Sequence, residues 1–143
     1  MPPTSANLNM AANCIFCKIV KGDIPSMTLY SSPKVYAFLD INPLAPGHAL
    51  VIPTHHGAKL TDIPDDSLTE ILPVARKIAA AQGLTDFNIL QNNGRIAHQV
   101  VDHVHFHVIP KPDEKQGLGI QWPQQQGNKE ELAKLAEEIK SKI

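Results

Sequence analysis

The sequence predicts an α+β fold with a five-stranded antiparallel sheet, one long helix and a short N-terminal helix. Five short apolar or β-branched runs are bounded by turn formers, and one longer stretch has helical periodicity. These elements do not alternate regularly, as they would in a parallel doubly wound sheet. With 143 residues, 43% of them hydrophobic, the chain has the size of one domain with a single core.

The first half of the chain contains the short helix and three of the strands. The helix is predicted over Cys14 to Val20, because its apolar residues have helical spacing and Gly22 and Pro25 follow. Strand propensity and turn residues then predict three strands, Met27–Tyr30, Lys34–Leu39 and His48–Ile52. Residues 1–13, which precede the helix, are expected to form a disordered leader.

The second half begins with the main helix, predicted over Asp65–Gln82 with Asp65 and Asp66 as candidate caps. Pro73 lies inside this stretch, so we expect a kink or a later start. Two further strands are predicted, Phe87–Leu90 and Val100–Ile109, around the turn Asn92-Asn93-Gly94. An extra amphipathic helix is predicted over Asn128–Lys142, capped by Asn128, after a loop at residues 116–127.

Composition excludes several classes of function. The 13 Lys+Arg nearly balance 14 Asp+Glu and form no long run, which argues against a dedicated nucleic-acid binder. Apolar runs are far shorter than the roughly 20 residues of a membrane-spanning helix, and we recognise no secretory signal. We therefore expect no membrane partner and a cytoplasmic or nuclear location.

Histidine is the unusual residue, since four of the seven lie between His98 and His107. Three of them alternate with apolar residues in the run His103-Val104-His105-Phe106-His107-Val108-Ile109. In a strand, the three imidazoles would lie on one face, about 6.6 to 6.8 Å apart, a spacing that can bracket a phosphate. A solvent-exposed strand face and a structural metal cluster are the alternatives.

The two cysteines, Cys14 and Cys17, have the spacing of half a zinc site. Free cysteine is also common as a small buried hydrophobe, so packing of the short helix on the core is an alternative. A redox pair is less favoured, because no thioredoxin-like βαβ pattern surrounds the two residues.

The histidine run resembles the signature of the histidine-triad (HIT) superfamily, and other segments resemble its Hint branch. These landmarks occur in order: Cys14-Ile15-Phe16-Cys17-Lys18-Ile19, Ala37-Phe38-Leu39-Asp40-Ile41, Gly47-His48-Ala49-Leu50-Val51-Ile52-Pro53, Leu90-Gln91-Asn92-Asn93-Gly94 and Trp122-Pro123. The resemblance implies a HIT domain over residues 14–123, followed by a C-terminal loop and amphipathic helix at 124–143.

The resemblance also implies an enzyme that hydrolyses purine nucleoside 5'-monophosphoramidates, including AMP-NH2 and AMP-lysine types, to the nucleoside monophosphate and an amine. His105 would be the nucleophile that forms a covalent nucleotidyl-histidine. His107 would bind phosphate oxygens and assist protonation of the leaving group. His103 would orient the nucleophile, and His48 would join the same hydrogen-bonded network.

For nucleotide binding, the resemblance assigns the ribose hydroxyls to Asp40 and the phosphate side to Asn92. The apolar slot for a purine would be formed by Ile41, Ile15, Phe16, Ile19 and Phe38. Gln99 and Val100 would border the phosphate. Val100 departs from the Ser or Thr that is usual in the family, so a side-chain hydroxyl is missing there, and His98 is a candidate to approach instead.

For metal and partners, the resemblance implies a structural zinc held by Cys14, Cys17, His56 and His103, and no cofactor required for catalysis. It implies a homodimer in which the two sheets join, the Asp65–Gln82 helix helps form the contact and Trp122 reaches the other active site. Two functional alternatives remain open: a dinucleoside polyphosphate hydrolase of the Fhit type, and a non-catalytic nucleotide- or zinc-binding regulatory protein.

Overall fold

The computed structural model describes residues 12–143, and the leader prediction for residues 1–11 lies outside this range. The elements are three helices and five strands, in the α+β arrangement that the sequence predicts. In chain order they are α1 (Ile15–Lys21), β1 (Thr28–Ser31), β2 (Val35–Leu39), β3 (Ala49–Pro53), α2 (Ile71–Ala81), β4 (Phe87–Gln91), β5 (Phe106–Pro110) and α3 (Lys129–Lys142). None of the helices in this range has the length and apolar character that crossing a bilayer requires.

The five strands form one antiparallel sheet in the order β1-β2-β3-β5-β4. Strand β5 is therefore an interior strand, between β3 and the edge strand β4, although it is the last strand in the chain. Its residue His107 lies opposite Leu50 of β3 and Leu90 of β4. Because directly opposed residues point to the same side of a sheet, this register fixes the face on which His107 lies.

One face of the sheet is covered by α2 and forms the larger apolar core. The sheet contributes Val35, Ala37, Ala49, Val51 and Val108, and the helix contributes Ile71, Val74, Ala75, Ile78 and Ala79. The helical residues recur at steps of three and four, which places them along one side of α2. Full burial of each larger side chain contributes about 1.5 to 3 kcal/mol to folding, so this face supplies much of the stability.

The opposite face of the sheet carries α1 and a second apolar cluster. Phe38, Leu50 and Ile52 of the sheet pack there with residues of the helix and its cap, Cys14, Phe16, Cys17 and Ile19. Cys14 caps the start of the helix, and its side chain accepts from the Cys17 N–H at 3.5 Å. The helix ends at Gly22 in the left-handed conformation, with a φ of 86° that glycine adopts at little cost.

The main helix is shorter than the predicted stretch Asp65–Gln82, and it has the later start that Pro73 predicts. It spans Ile71–Ala81, whereas Asp65–Leu68 forms a separate 3-10 turn. Asp65 and Asp66 are therefore not its caps, and that prediction is wrong; Glu70 occupies the cap position. The physical reason is Pro73, which lies in the first turn of the observed helix, where its missing N–H leaves no helical hydrogen bond unmade.

The last predicted strand is also too long. Only Phe106–Pro110 is β5, so the prediction of a strand over residues 100–105 is wrong. The backbone groups of this segment have other partners: the Val104 N–H donates to the Gly57 carbonyl at 2.9 Å, and Arg95 binds the carbonyls of Gln99 and Val100. Because these backbone groups form hydrogen bonds with loop residues and not with a neighbouring strand, the segment does not extend the sheet.

The C-terminal helix α3 forms as predicted and is exposed along its whole length. Asn128 caps it, accepting from the N–H groups of Glu130 and Glu131 at 3.0 and 3.1 Å. Its apolar residues Leu132, Leu135 and Ile139 are each half exposed. The sheet and the two other helices, rather than α3, therefore position the site.

Candidate active site

The site lies on the α1 face of the sheet, where β3 and β5 adjoin. His107 is on β5 opposite Leu50, and His48 directly precedes β3. The ring of His105, just before β5, lies 4.9 Å from the ring of His107 and 5.1 Å from Phe16 of α1, measured between centroids. The fold thus brings His48, His105 and His107 together beneath the N-terminal helix.

The proton positions of His48 and His107 follow from a chain of hydrogen bonds. The Leu44 N–H donates to Nδ1 of His48 at 3.1 Å, so this nitrogen carries a lone pair. In the neutral ring the proton is then on Nε2, which donates to Nδ1 of His107 at 2.9 Å. The proton of neutral His107 is consequently on Nε2, which has the geometry of a donor to a bound anion.

The proton position of His105 is set by a backbone carbonyl. Nδ1 of His105 lies 2.7 Å from the carbonyl oxygen of His103, which can only accept. Nδ1 is therefore protonated, and Nε2 carries a free lone pair. An unprotonated imidazole nitrogen held in a fixed orientation is a competent nucleophile.

The environment keeps these rings neutral at neutral pH. Burial lowers the pKa of His107 from 6.5 to about 4, with further contributions from His105 and His48. Burial also lowers the pKa of His105 and of His48, partly offset at both rings by the negative charge of Asp40. A neutral His105 is the form in which the nucleophilic lone pair exists.

His103 lies on the same α1 side of the sheet as the other two rings, 5.9 Å from the Phe16 ring, but its Nδ1 faces Cys14 and Cys17. It precedes β5, and its ring donates from Nε2 to the Pro53 carbonyl at 2.8 Å. Nδ1 then carries a lone pair and faces the two cysteines. His103 contributes to the nucleophile through its backbone carbonyl instead.

Three potential metal ligands surround the Nδ1 atom of His103, which is itself the fourth. Distances from this atom are 3.4 Å to Sγ of Cys14, 3.6 Å to Sγ of Cys17 and 3.2 Å to Nδ1 of His56; Cys17 Sγ lies 3.3 Å from His56 Nδ1. All four ligand atoms lie within 4.8 Å of one another. A tetrahedral zinc site has S to N edges of about 3.5 Å and N to N edges of about 3.3 Å, given its usual bond lengths. The four residues therefore have the donor set and dimensions of a Cys2His2 zinc site.

The thiols of this cluster are buried among apolar side chains. Burial and the neighbouring Cys14 raise the pKa of the Cys17 thiol to about 12, so the metal-free site keeps a proton there. Nε2 of His56 is buried and has no hydrogen-bond partner among the described residues. A divalent cation would stabilise the thiolate form that coordination requires.

Of the residues assigned to nucleoside binding, Asp40 lies beside His48 and Ile15 is on α1. Asp40 Oδ1 accepts from the Asn42 N–H at 2.8 Å, and its Oδ2 lies 3.6 Å from Nε2 of His48. Ile41 and Ile15 are 85% and 47% exposed. Exposed apolar side chains beside a carboxylate suit a base and its ribose.

The remaining three residues of the predicted slot are buried in the α1 cluster. Phe16, Ile19 and Phe38 are each less than 9% exposed, and the Phe16 and Phe38 rings meet edge to face at 5.6 Å. They have core contacts, which is the alternative that their apolar character alone favours. Among them, Phe16 also contacts the ring of His105.

The loop before β5 carries the residues predicted to border the phosphate. The side chain of Gln99 is buried and fully engaged: its Oε1 accepts from the Gly94 N–H at 2.7 Å, and its Nε2 donates to the carbonyls of Val101 and Ala58. Gln99 therefore shapes the loop, and its amide is not free for a nucleotide. Val100 is 71% exposed, and Asn92 donates to the His98 carbonyl at 3.3 Å.

Several groups that define the site could not be found from the sequence. The carbonyls of His103 and Pro53 and the N–H of Leu44 fix the three ring orientations. They are backbone groups, so residue types and spacing carry no signal for them. The buried Gln99 could have been suspected only from its place between two turns.

Comparison with known proteins agrees with this geometry. The HIT domain family model matches residues 21–114. The chain is 55% identical to the adenosine 5'-monophosphoramidase HNT1 of Saccharomyces cerevisiae over 97% of this chain and 88% of that one. It is 56% identical to the adenosine 5'-monophosphoramidase hnt1 of Schizosaccharomyces pombe, over 92% and 98%.

A solved structure has the same fold. The histidine triad nucleotide-binding protein from Candida albicans superposes with a TM-score of 0.87 at 54% identity, covering 91% of this chain and 96% of that one. These relatives place the chain in a class of hydrolases. The chain belongs to the HIT family.

Proposed function

We propose that this protein hydrolyses purine nucleoside 5'-monophosphoramidates to the nucleoside monophosphate and an amine through a covalent nucleotidyl-histidine. The observation that carries the proposal is the His105 ring, whose Nδ1–H is bound by the His103 carbonyl and whose Nε2 is left unprotonated. The activity in the names of the two yeast relatives supports the choice of substrate.

In the first step, Nε2 of His105 attacks phosphorus and the bond from phosphorus to the amine nitrogen breaks. Its electron pair stays on the nitrogen, which takes up a proton from solvent with the assistance of His107 and leaves as the neutral amine. The Nε2–H of His107 donates to a phosphoryl oxygen as negative charge accumulates there. This donor is held in place by His48. In the second step, water attacks phosphorus and releases His105, which completes the hydrolysis.

Nucleoside binding is assigned to the groups beside His48. Asp40 would accept hydrogen bonds from the ribose hydroxyls, for which a carboxylate offers two oxygens. The exposed side chains of Ile15 and Ile41 would contact the base. Asn92 and the backbone at Val100 would border the phosphate.

The test compares adenosine phosphoramidate, a lysine-linked analogue and diadenosine polyphosphates as substrates of the purified protein. We expect the phosphoramidates to be turned over faster. The His105→Asn variant should lose at least about 10³-fold in turnover, as expected on removal of a nucleophile, while AMP binding measured by calorimetry persists. His55→Asn is the matched control, because it makes the same change at an exposed histidine, and it should behave as wild type.

Two results would reject the proposal. Faster turnover of the dinucleotides would favour an Fhit-type hydrolase, and retained turnover in His105→Asn would exclude His105 as the nucleophile. AMP binding without turnover of any of these substrates by the wild-type protein would favour a non-catalytic nucleotide-binding protein.

We also propose a structural zinc ion bound by Cys14, Cys17, His56 and His103. The donor set, the tetrahedral edge lengths and the lone pair on Nδ1 of His103 support it. The ion would tie α1 to the loop before β5, and catalysis is expected to need no further cofactor. No open coordination position is implied, which fits a structural role.

Metal content tests this second proposal. Protein purified without added metal should contain about one zinc per chain by mass spectrometry, and Cys17→Ala should contain much less. His105→Asn, whose ring is not a ligand, should keep its zinc. Equal zinc in wild type and Cys17→Ala would contradict the assignment.

We further propose a homodimer that joins the sheets through β4 and buries part of α2. Strand β4 is at the sheet edge with Phe87 and Ile89 each 40% exposed, and Leu72 of α2 is 57% exposed. Apolar side chains on an open strand edge favour pairing with another copy. Trp122, 73% exposed, would then reach the active site of the other subunit.

Sedimentation tests the dimer. We expect wild type to sediment as a dimer and Ile89→Lys as a monomer, because the charge would be buried at the joined edge. Leu132→Lys, which places the same charge on the exposed helix α3, should leave the dimer intact. A monomeric wild type would reject the proposal.

A further inference from the structure

An apolar groove lies on the α2 face of the sheet, opposite the face that carries the catalytic histidines. It forms where β1 and β2 meet the second half of α2, and its volume is about 470 Å³. Pockets that hold small molecules have volumes of roughly 300 to 1,000 Å³. Most of the walls of this groove, which we call the α2 groove, are apolar: Leu29, Tyr30, Leu39, Val74, Ile78 and Ala81.

One end of the α2 groove is built on a fixed turn. The His48 N–H donates to the Ala45 carbonyl at 3.0 Å, and Gly47 within this turn has a φ of 92°. The side chain of Gln82, directly after α2, donates to the Gly47 carbonyl at 3.0 Å, and a Cβ on residue 47 would overlap its Oε1. The end of α2 is thus fastened to the turn, so this part of the groove is formed before a ligand binds.

Lys77 is the one charged residue among those that line the α2 groove. It lies on the same side of α2 as Val74, Ile78 and Ala81, because these residues follow one another at steps of three and four. Lys77 is exposed whereas Val74 and Ile78 are buried, which places it at the rim. None of the ion pairs within residues 12–143 involves Lys77. A cation beside apolar walls is complementary to a molecule with an apolar body and one negative group.

The α2 groove is separate from the proposed contact between subunits. That contact uses β4, at one edge of the sheet, whereas the groove borders β1, at the other edge. Leu72 is in the first turn of α2, whereas the groove lies along the later turns. The groove therefore stays open in such a dimer.

We propose that the α2 groove binds a medium-chain fatty carboxylate, with the alkyl chain against the apolar walls and the carboxylate paired with Lys77. Burial of the chain supplies the attraction. The ion pair selects a carboxylate over neutral molecules of the same shape. This site lies outside the proposed active site, and the inference does not depend on the proposed hydrolysis.

The test compares octanoate with octanamide, which has the same chain and no charge. Amide NMR titration of the full chain should show saturable binding of octanoate, with the shifts concentrated at residues 28–31 and 77–82. Octanamide should bind about three- to fivefold more weakly, which is the size expected for an exposed ion pair. The affinity for AMP should be the same with and without octanoate.

Two pairs of variants locate the ligand. Ala81→Trp places an indole in the groove from an exposed position and should abolish octanoate binding, whereas Ala80→Trp, at an exposed position outside the lining, should bind as wild type. Lys77→Gln should bind octanoate and octanamide equally. Arg76→Gln, its exposed neighbour outside the lining, should keep the preference for octanoate.

Four results would overturn the inference. Wild type could show no saturable binding of octanoate, or equal affinity for octanoate and octanamide, which would leave no role for Lys77. Unchanged binding by Ala81→Trp would place the ligand elsewhere. A monomeric Ala81→Trp beside a dimeric Ala80→Trp in sedimentation would make the groove a contact between copies of the chain. None of these measurements involves turnover, so failure here is distinct from failure of the proposed hydrolysis.

Discussion

At the scale of single residues, the active site depends on which ring nitrogen of each histidine has a backbone partner. The Leu44 N–H determines the tautomer of His48, and His48 determines that of His107. The His103 carbonyl does the same for His105. Three chemically identical side chains thus become an orienting group, a donor and a nucleophile.

This chain of bonds predicts the effect of replacing His48. In His48→Ala, His107 loses the donor to its Nδ1, so its Nε2 is no longer held as the protonated nitrogen. We expect kcat to fall about 10- to 100-fold, as is typical for loss of an orienting partner, with little change in KM. Steady-state kinetics and the nitrogen NMR shifts of His107 would measure both effects.

Asp40→Asn is the matched comparison. It removes a carboxylate assigned to the ribose, so KM should rise about tenfold while kcat changes less. If His48→Ala raised KM alone and left the His107 tautomer unchanged, His48 would be a nucleoside contact rather than an orienting residue.

At the scale of elements, the sequence predicted all strands and helices of the described chain but misjudged two lengths. The α2 prediction began too early because the periodicity continues through Leu68, while Pro73 fixes the first turn of the helix. The β5 prediction began too early because His103 and His105 continue the alternation. The Val104 N–H donates to the Gly57 carbonyl and the His103 ring to the Pro53 carbonyl, both distant in sequence, so periodicity could not reveal the boundary.

Helix α3 offers a prediction at this scale. Its residues contribute to neither core cluster, so its stability depends on local interactions such as the Asn128 cap. Asn128→Ala should destabilise α3 by about 1 kcal/mol. Hydrogen exchange should then speed up over residues 129–142 only.

The core provides the control for this variant. Exchange of the β3 and β5 amides and the midpoint of global unfolding should match wild type. A clear fall in global stability would contradict an independent α3 and would show that the helix packs on another part of the assembly.

At the scale of the whole molecule, the sheet separates stability from chemistry. Alternation along β5 gives Val108 to the α2 core and His107 to the opposite face. The sequence predicted this division for Val108 and His107. The resemblance implied that His103 lies with the two cysteines, but the Pro53 carbonyl of β3, to which the His103 ring donates, is a backbone group and has no signal in the sequence.

The buried, neutral histidines also make the stability of the whole molecule depend on pH. His107 has a pKa of about 4 in the folded protein, against an ordinary value of 6.5. Between these values the unfolded chain binds the proton more readily than the folded one, so the free energy of unfolding falls as pH falls. The contribution is fully present above about pH 6.5, and the loss is complete near pH 4. Burial lowers the pKa of His48 as well, which acts in the same direction.

We therefore expect wild type to lose stability on acidification from about pH 7 to pH 4.5, and His107→Gln to lose less. A shift of this size corresponds to at most about 3 kcal/mol, and to less where water screens the ring. Urea unfolding of both proteins at several pH values measures the difference. Zinc release lowers the stability of both proteins, so the difference between the two curves reports on His107. The other groups that affect its pKa are present in both proteins: His105, His48, Asp40 and His98. Parallel curves would show that His107 is not held neutral by the fold.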